Sequence, residues 1–145
     1  MKEIYKRSAS YFLSLYFVTL LLVYILNLPG FITQSYDLVN EYYYKNMLFS
    51  FVLDIFLIAV YITAAMYIGK VIKIKTSDNS QQLLVLIITT VIISTAFMIY
   101  FNLGYSSKTF FSRWFKSVGY KAVFYDTIIV CSVYIIMMII YNNFF

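Results

Sequence analysis

The sequence predicts an all-α, polytopic transmembrane four-helix bundle. The chain is 63% hydrophobic and only 12% charged, where soluble domains carry roughly 45–50% apolar and about 25% charged residues. Its mean hydropathy is +0.82. Its few charges divide it into four long apolar runs, each long enough to cross a bilayer.

The first run, Ser8 to Tyr36, holds no charge in 29 residues, and the second, Asn46 to Gly69, holds only Asp54 in 24. The third, Asn79 to Ser107, is uncharged over 29 residues, and the fourth, Ala122 to Phe145, holds only Asp126 in 24. A spanning helix needs about 20 mostly apolar residues. Residues 1–145 thus read as a single transmembrane domain with spans near 9–28, 47–69, 82–103 and 122–141. A re-entrant hairpin in place of the last span is disfavoured by its length. The first run follows Lys2, Lys6 and Arg7 like a signal peptide. Its apolar stretch exceeds the roughly 7–15 residues of such a segment, however, and no small-residue cleavage site follows. Pro29 and Gly30 are expected to end the helix. Gly69 and Gly104 are expected to end the second and third, and Thr76 to Ser80 to form a polar turn.

The alternation of long and short runs suggests two repeated helical hairpins. Asp54 and Asp126 are 72 residues apart, near half the chain length. Each unit would be a helix, a surface segment and an acidic helix. Two spans per unit keep the halves parallel, as in some transporters.

Both surface segments read as amphipathic and interfacial. In residues 110–121, Phe110, Phe111, Trp114, Phe115 and Val118 share one helical arc, and Ser112, Arg113, Lys116 and Ser117 the other. This pattern suits a helix in the headgroup region, with rings in the acyl boundary and cations toward phosphate. Phe110, Phe111, Arg113, Trp114, Phe115 and Lys116 are therefore the expected lipid-contacting set. In residues 36–45, Tyr36, Leu38, Val39, Tyr42 and Tyr43 share an arc opposite Asp37, Asn40, Glu41 and Lys45. The acidic segment is expected to pair with the basic one across the protein face.

Orientation follows from the cations. Lys2, Lys6 and Arg7 precede the first span, and loop one has only Lys45, which places both termini in the cytosol. Loop three, with Lys108, Arg113, Lys116 and Lys121, pulls the other way; the first helix decides.

The chain has no histidine and one cysteine, Cys131. This excludes an internal disulfide and a thiolate metal cage, and it removes the commonest general base and metal ligand. No cofactor, metal site or catalytic residue is expected, and the few cations do not suit nucleic acid. An enzyme, here a lipid-modifying one, is the least favoured function.

Asp54 and Asp126 are the candidate functional residues. A carboxylate in a spanning helix costs about 2.5–3.5 kcal/mol at the centre, so it normally faces the bundle interior or water. Asp54 lies ~13 Å along its helix from Lys45, and Asp126 ~8 Å from Lys121, at 1.5 Å per residue. Both fall in one leaflet, on the side of loops one and three. Tyr61, Tyr125 and Tyr134 are expected to join them in an intramembrane polar site. Ser10 and Ser14, and Thr90 and Ser94, offer polar faces on the remaining helices. Two readings stay open. In one, the carboxylates form a cation or proton site and share a proton in low dielectric. In the other, each Asp caps backbone, pairs with Lys121, Arg113 or tyrosine hydroxyls, or reaches the interface.

The stretch from Phe110 to Asp126, with its R-W-F…G-x-x-A…Y-D pattern, resembles the C-terminal part of uncharacterised small four-span membrane proteins of large DNA viruses of algae and protists. The abundance of Ile, Lys, Asn, Tyr and Phe, all with AT-rich codons, agrees; AT-rich bacteria or their phages would give the same composition. The resemblance covers about a quarter of the chain. It implies a location, in a viral envelope or inner membrane or in a host membrane, and no mechanism. The leading functional expectation is assembly in the bilayer, with itself or another membrane protein. The alternative is a proton, cation or small-solute transporter or channel subunit using Asp54 and Asp126, as a homo-oligomer.

Overall fold

A computed structural model of the chain describes residues 2–75 and 78–145. Helix α1 (Lys2–Val18) continues as a π-helical stretch, Thr19–Ile25. Short helices α2 (Leu28–Thr33) and α3 (Tyr36–Val39) follow, the latter running into a second π-helical stretch, Asn40–Lys45. Then come α4 (Met47–Val71), α5 (Asn79–Leu103), a surface helix α6 (Phe110–Val118) and α7 (Tyr120–Phe144). There is no strand among the described residues. Four helices are long and apolar enough to cross a membrane: Lys2–Ile25, Met47–Val71, Asn79–Leu103 and Tyr120–Phe144. Only 22–28% of an 18-residue apolar stretch within each span is buried in the protein. The remaining surface includes Phe12, Phe17, Phe56, Val60, Ile88, Ile92 and Ile139, all exposed. Lipid is the solvent that surface requires.

The boundaries follow local chemistry. The first span starts near the beginning of the chain and stops at Ile25, because Asn27 takes the left-handed conformation at φ 47°, which asparagine tolerates better than most residues. Pro29 does not end that helix, as the sequence suggested. It opens α2, where its fixed φ and missing N–H cost nothing. Gly69 likewise does not end α4. It lies inside the helix, where a side chain would collide with the carboxamide of Gln82, which donates to Ala65 O at 3.1 Å. Gly104 does cap α5. Of the predicted polar turn, Thr76 and Ser77 lie outside the described residues. Asp78 caps α5, accepting from Gln81 N at 3.0 Å. Gly119, at φ 60° and ψ −134°, separates α6 from α7, a backbone state essentially reserved for glycine.

Helix α7 packs along α1 and α5, and α5 packs along α4. Small residues line these contacts: Ser10, Ser14, Ala65, Thr90, Ser94 and Ala122 are fully buried, which lets helices approach closely without a hydrophobic drive in lipid. The order span, surface segment, acidic span occurs twice. The two units are not equally closed. Helices α5 and α7 pack together along their length, whereas α1 and α4 do not; Tyr11 bridges them, donating to Ile55 O at 2.6 Å. At the far end, Lys6 Nζ donates to Phe145 O at 2.8 Å and Tyr141 to Glu3, so the N- and C-terminal ends of the bundle lie together.

Candidate intramembrane carboxylate site

Opposite those ends, the segment 28–45 and α6 form a roof over the bundle. Two anchors hold its halves together. Arg113 donates from both terminal nitrogens to the Glu41 carboxylate, at 2.6 Å each, and Tyr42 stacks on Phe110 with centroids 4.9 Å apart. Ser35 and Ser117 add a hydrogen bond at 3.2 Å. The expected pairing of acidic and basic surface segments is present as this fork. The Arg113 guanidinium holds the Glu41 carboxyl below its ordinary value of 4.5. A carboxyl lowered by folding contributes stability that is present above 4.5 and lost as pH falls through the folded value. Both side chains are about a third exposed, so screening keeps the term near ~1 kcal/mol. Glu41→Gln is expected to lower stability by that amount at pH 7 and to leave it unchanged once wild-type Glu41 is protonated, read from unfolding midpoints between pH 3 and 7.

The aromatic face of α6 turns largely into the protein. Trp114 and Phe115 are buried against the bundle, Phe110 and Phe111 are half-buried, and only Lys116 of the predicted lipid-contacting set is exposed. Ser112, expected on the polar arc, is buried too. The periodicity was that of an amphipathic helix, but its apolar face has a protein surface to cover. Val39, Tyr42 and Tyr43 of the first roof segment are buried in the same way.

Beneath this roof lies a cavity of about 150 Å³, and Asp54 and Asp126 both line it. Asp54 shares the inward face of α4 with Ile58, Tyr61 and Ala65, all buried. Asp126 shares that of α7 with Ala122, Ile129 and Val133. From Met47 and Tyr120, where their helices begin, the two carboxylates are each ~10 Å along at 1.5 Å per residue. Tyr42 donates to Asp54 Oδ1 at 2.8 Å, and Ser94 to Asp126 Oδ2 at 2.5 Å. Burial first, and then the Asp54 carboxylate, push the Tyr42 phenol far above its ordinary value, so it stays a donor. Tyr43 and Tyr125 share a hydrogen bond at 2.8 Å, and Tyr24 donates to Tyr43 O at 2.8 Å. These bonds fix the hydroxyls around the carboxylates.

Tyr61 and Tyr125 line the cavity, as the sequence suggested. Tyr134 does not: it is buried in α7, ~12 Å further along from Asp126. Ser94 reaches Asp126, but Ser14 turns back to Tyr11 O, and the buried Ser10 and Thr90 hydroxyls have no partner. Neither Lys121 nor Arg113 pairs with an Asp. Among the described residues the ion pairs are Arg7–Glu3 and Arg113–Glu41. Sequence reasoning missed Tyr42 as the Asp54 partner and Phe97 and Phe101 as walls. The inward arc of Tyr42 was visible, but its reach across the turn at Asn46 was not. No group of three or more His, Cys, Asp and Glu able to hold a metal occurs among the described residues.

These features define an all-α, multi-pass membrane protein with a roofed cavity that holds two carboxylates at one end of the bundle. Comparison with protein-family models, curated proteins and solved structures finds no match.

Proposed function

We propose that the protein binds and moves protons or cations across its membrane, using Asp54 and Asp126. One observation carries this reading: two carboxylates from different spanning helices line a single cavity, and neither has a basic partner among the described residues. A purely structural carboxylate in lipid is normally paired. Here each Asp has one neutral hydroxyl donor, which orients the group without cancelling its charge. That favours transport over assembly alone. Four helices enclose little room beyond the cavity, so a complete path implies a homo-oligomer in the bilayer.

The test is flux in liposomes. Wild type is expected to pass protons or monovalent cations above empty liposomes, and Asp54→Asn or Asp126→Asn to cut that flux at least about tenfold. Flux equal to that of empty liposomes in the wild type would overturn the proposal.

We place both termini in the cytosol because Lys2, Lys6 and Arg7 flank the first span. Cysteines introduced at Lys2 and Asn143 in a Cys131→Ser background should both resist an impermeant maleimide applied outside intact cells; labelling of both reverses the orientation.

A further inference from the structure

We propose that the cation taken by the roofed cavity is an organic ammonium ion, with alkyl groups on nitrogen, about the size of choline. This rests on the cation-binding reading above and names its ligand class.

The walls do not suit a small divalent ion. Calcium takes six to eight oxygens and magnesium near-ideal octahedral oxygen geometry. The oxygens here are two carboxylates and four phenols. One phenol is committed to Asp54, and two others are bonded to each other. Most of the remaining lining is aromatic, including Phe101, Phe110, Trp114 and Phe115. Such a wall cannot replace the water stripped from a small hard ion. It suits an alkylated ammonium, which binds the faces of aromatic rings and loses little hydration. The carboxylates supply the opposite charge, which a neutral apolar ligand would leave unanswered in low dielectric.

Volume sets the size. The cavity is about 150 Å³, and a dry cavity near 150 Å³ holds a molecule such as benzene. Tetramethylammonium and choline are of that order. The rings of the roof and the two carboxylates lie at one end of the bundle, where a lipid headgroup and a free ion present the same chemistry.

The experiment is calorimetric titration of the full chain in maltoside micelles with choline and with its neutral isostere, 3,3-dimethylbutan-1-ol. Choline is expected to bind and the isostere to bind at least about tenfold more weakly. Asp54→Asn and Asp126→Asn, which keep side-chain shape, should each weaken choline at least about tenfold. Trp114→Leu should do so by about tenfold, the loss of one desolvated cation–ring contact. Equal binding of choline and the isostere, or choline binding unaltered in both Asn variants, overturns the inference. If liposomes pass protons or potassium in an Asp-dependent way while choline does not bind, the ligand class is wrong and the cation-binding reading stands. If choline binds and no cation crosses, the ligand class holds and transport fails. Phosphatidylcholine in the micelles that displaces choline, where phosphatidylglycerol does not, assigns the ammonium to a headgroup; absence of displacement assigns it to a soluble ion.

Discussion

Asp126→Leu is expected to make the protein more stable by about 1–2 kcal/mol while removing the proposed flux. A carboxylate in a spanning helix costs about 2.5–3.5 kcal/mol at the bilayer centre and less toward the surface. Against this stands one hydrogen bond, from Ser94 at 2.5 Å, worth about 1 kcal/mol net. The freed Ser94 hydroxyl has an alternative acceptor in its own helix, one turn back. A leucine has room, because Asp126 borders a cavity rather than close-packed neighbours. Removing the group thus relieves more than it loses. Residues kept at a cost in stability are those that function requires. Denaturation by increasing dodecyl sulfate in mixed micelles, followed by Trp114 emission, measures the change. A midpoint below that of wild type would mean the carboxylate holds the bundle together, and the transport reading would lose its support.

Trp114→Ala is expected to cost about 3–5 kcal/mol, the range for removing a buried large aromatic side chain. Trp114 is 6% exposed. It stacks on Phe110 with centroids 5.8 Å apart and meets Tyr125 edge-on at 6.4 Å. It therefore links α6 to α7 across the top of the cavity. Its loss leaves the roof held by the Arg113–Glu41 fork and the rings of Phe110, Phe111 and Phe115. Nearby Phe101 and Phe115, stacked at 5.9 Å, cannot fill the space without moving α6. The loss should appear as a lowered unfolding midpoint and as faster proteolysis within residues 105–120. Wild-type Trp114 should also emit at the blue-shifted wavelength of a buried indole. An alanine variant as stable as wild type, or native emission typical of bulk water, would mean that α6 does not roof the bundle.

The amino-acid sequence by itself determined the solvent and the number of spans. Four stretches with almost no charge have one physical solution, helices in lipid, because every backbone polar group must be paired within the segment. The charges at their ends marked the boundaries to within a few residues, except at the first span, where Lys2, Glu3, Lys6 and Arg7 joined the helix. Long cationic side chains at a helix end reach water without ending it. Asp54 and Asp126 stood out for the same reason: in such a solvent an ionisable side chain is conspicuous. Tertiary structure alone decided what surrounds them. Periodicity showed that α6 has an apolar face, but lipid and a protein core attract that face equally, so it could not tell which one it meets. Tyr134 illustrates the limit as well. It shares the buried side of α7 with Asp126, yet two turns of helix carry it past the cavity. Helix period fixes direction around an axis. Which neighbour waits at each level depends on how α1, α4 and α5 pack against α7, and those contacts join residues far apart in the chain.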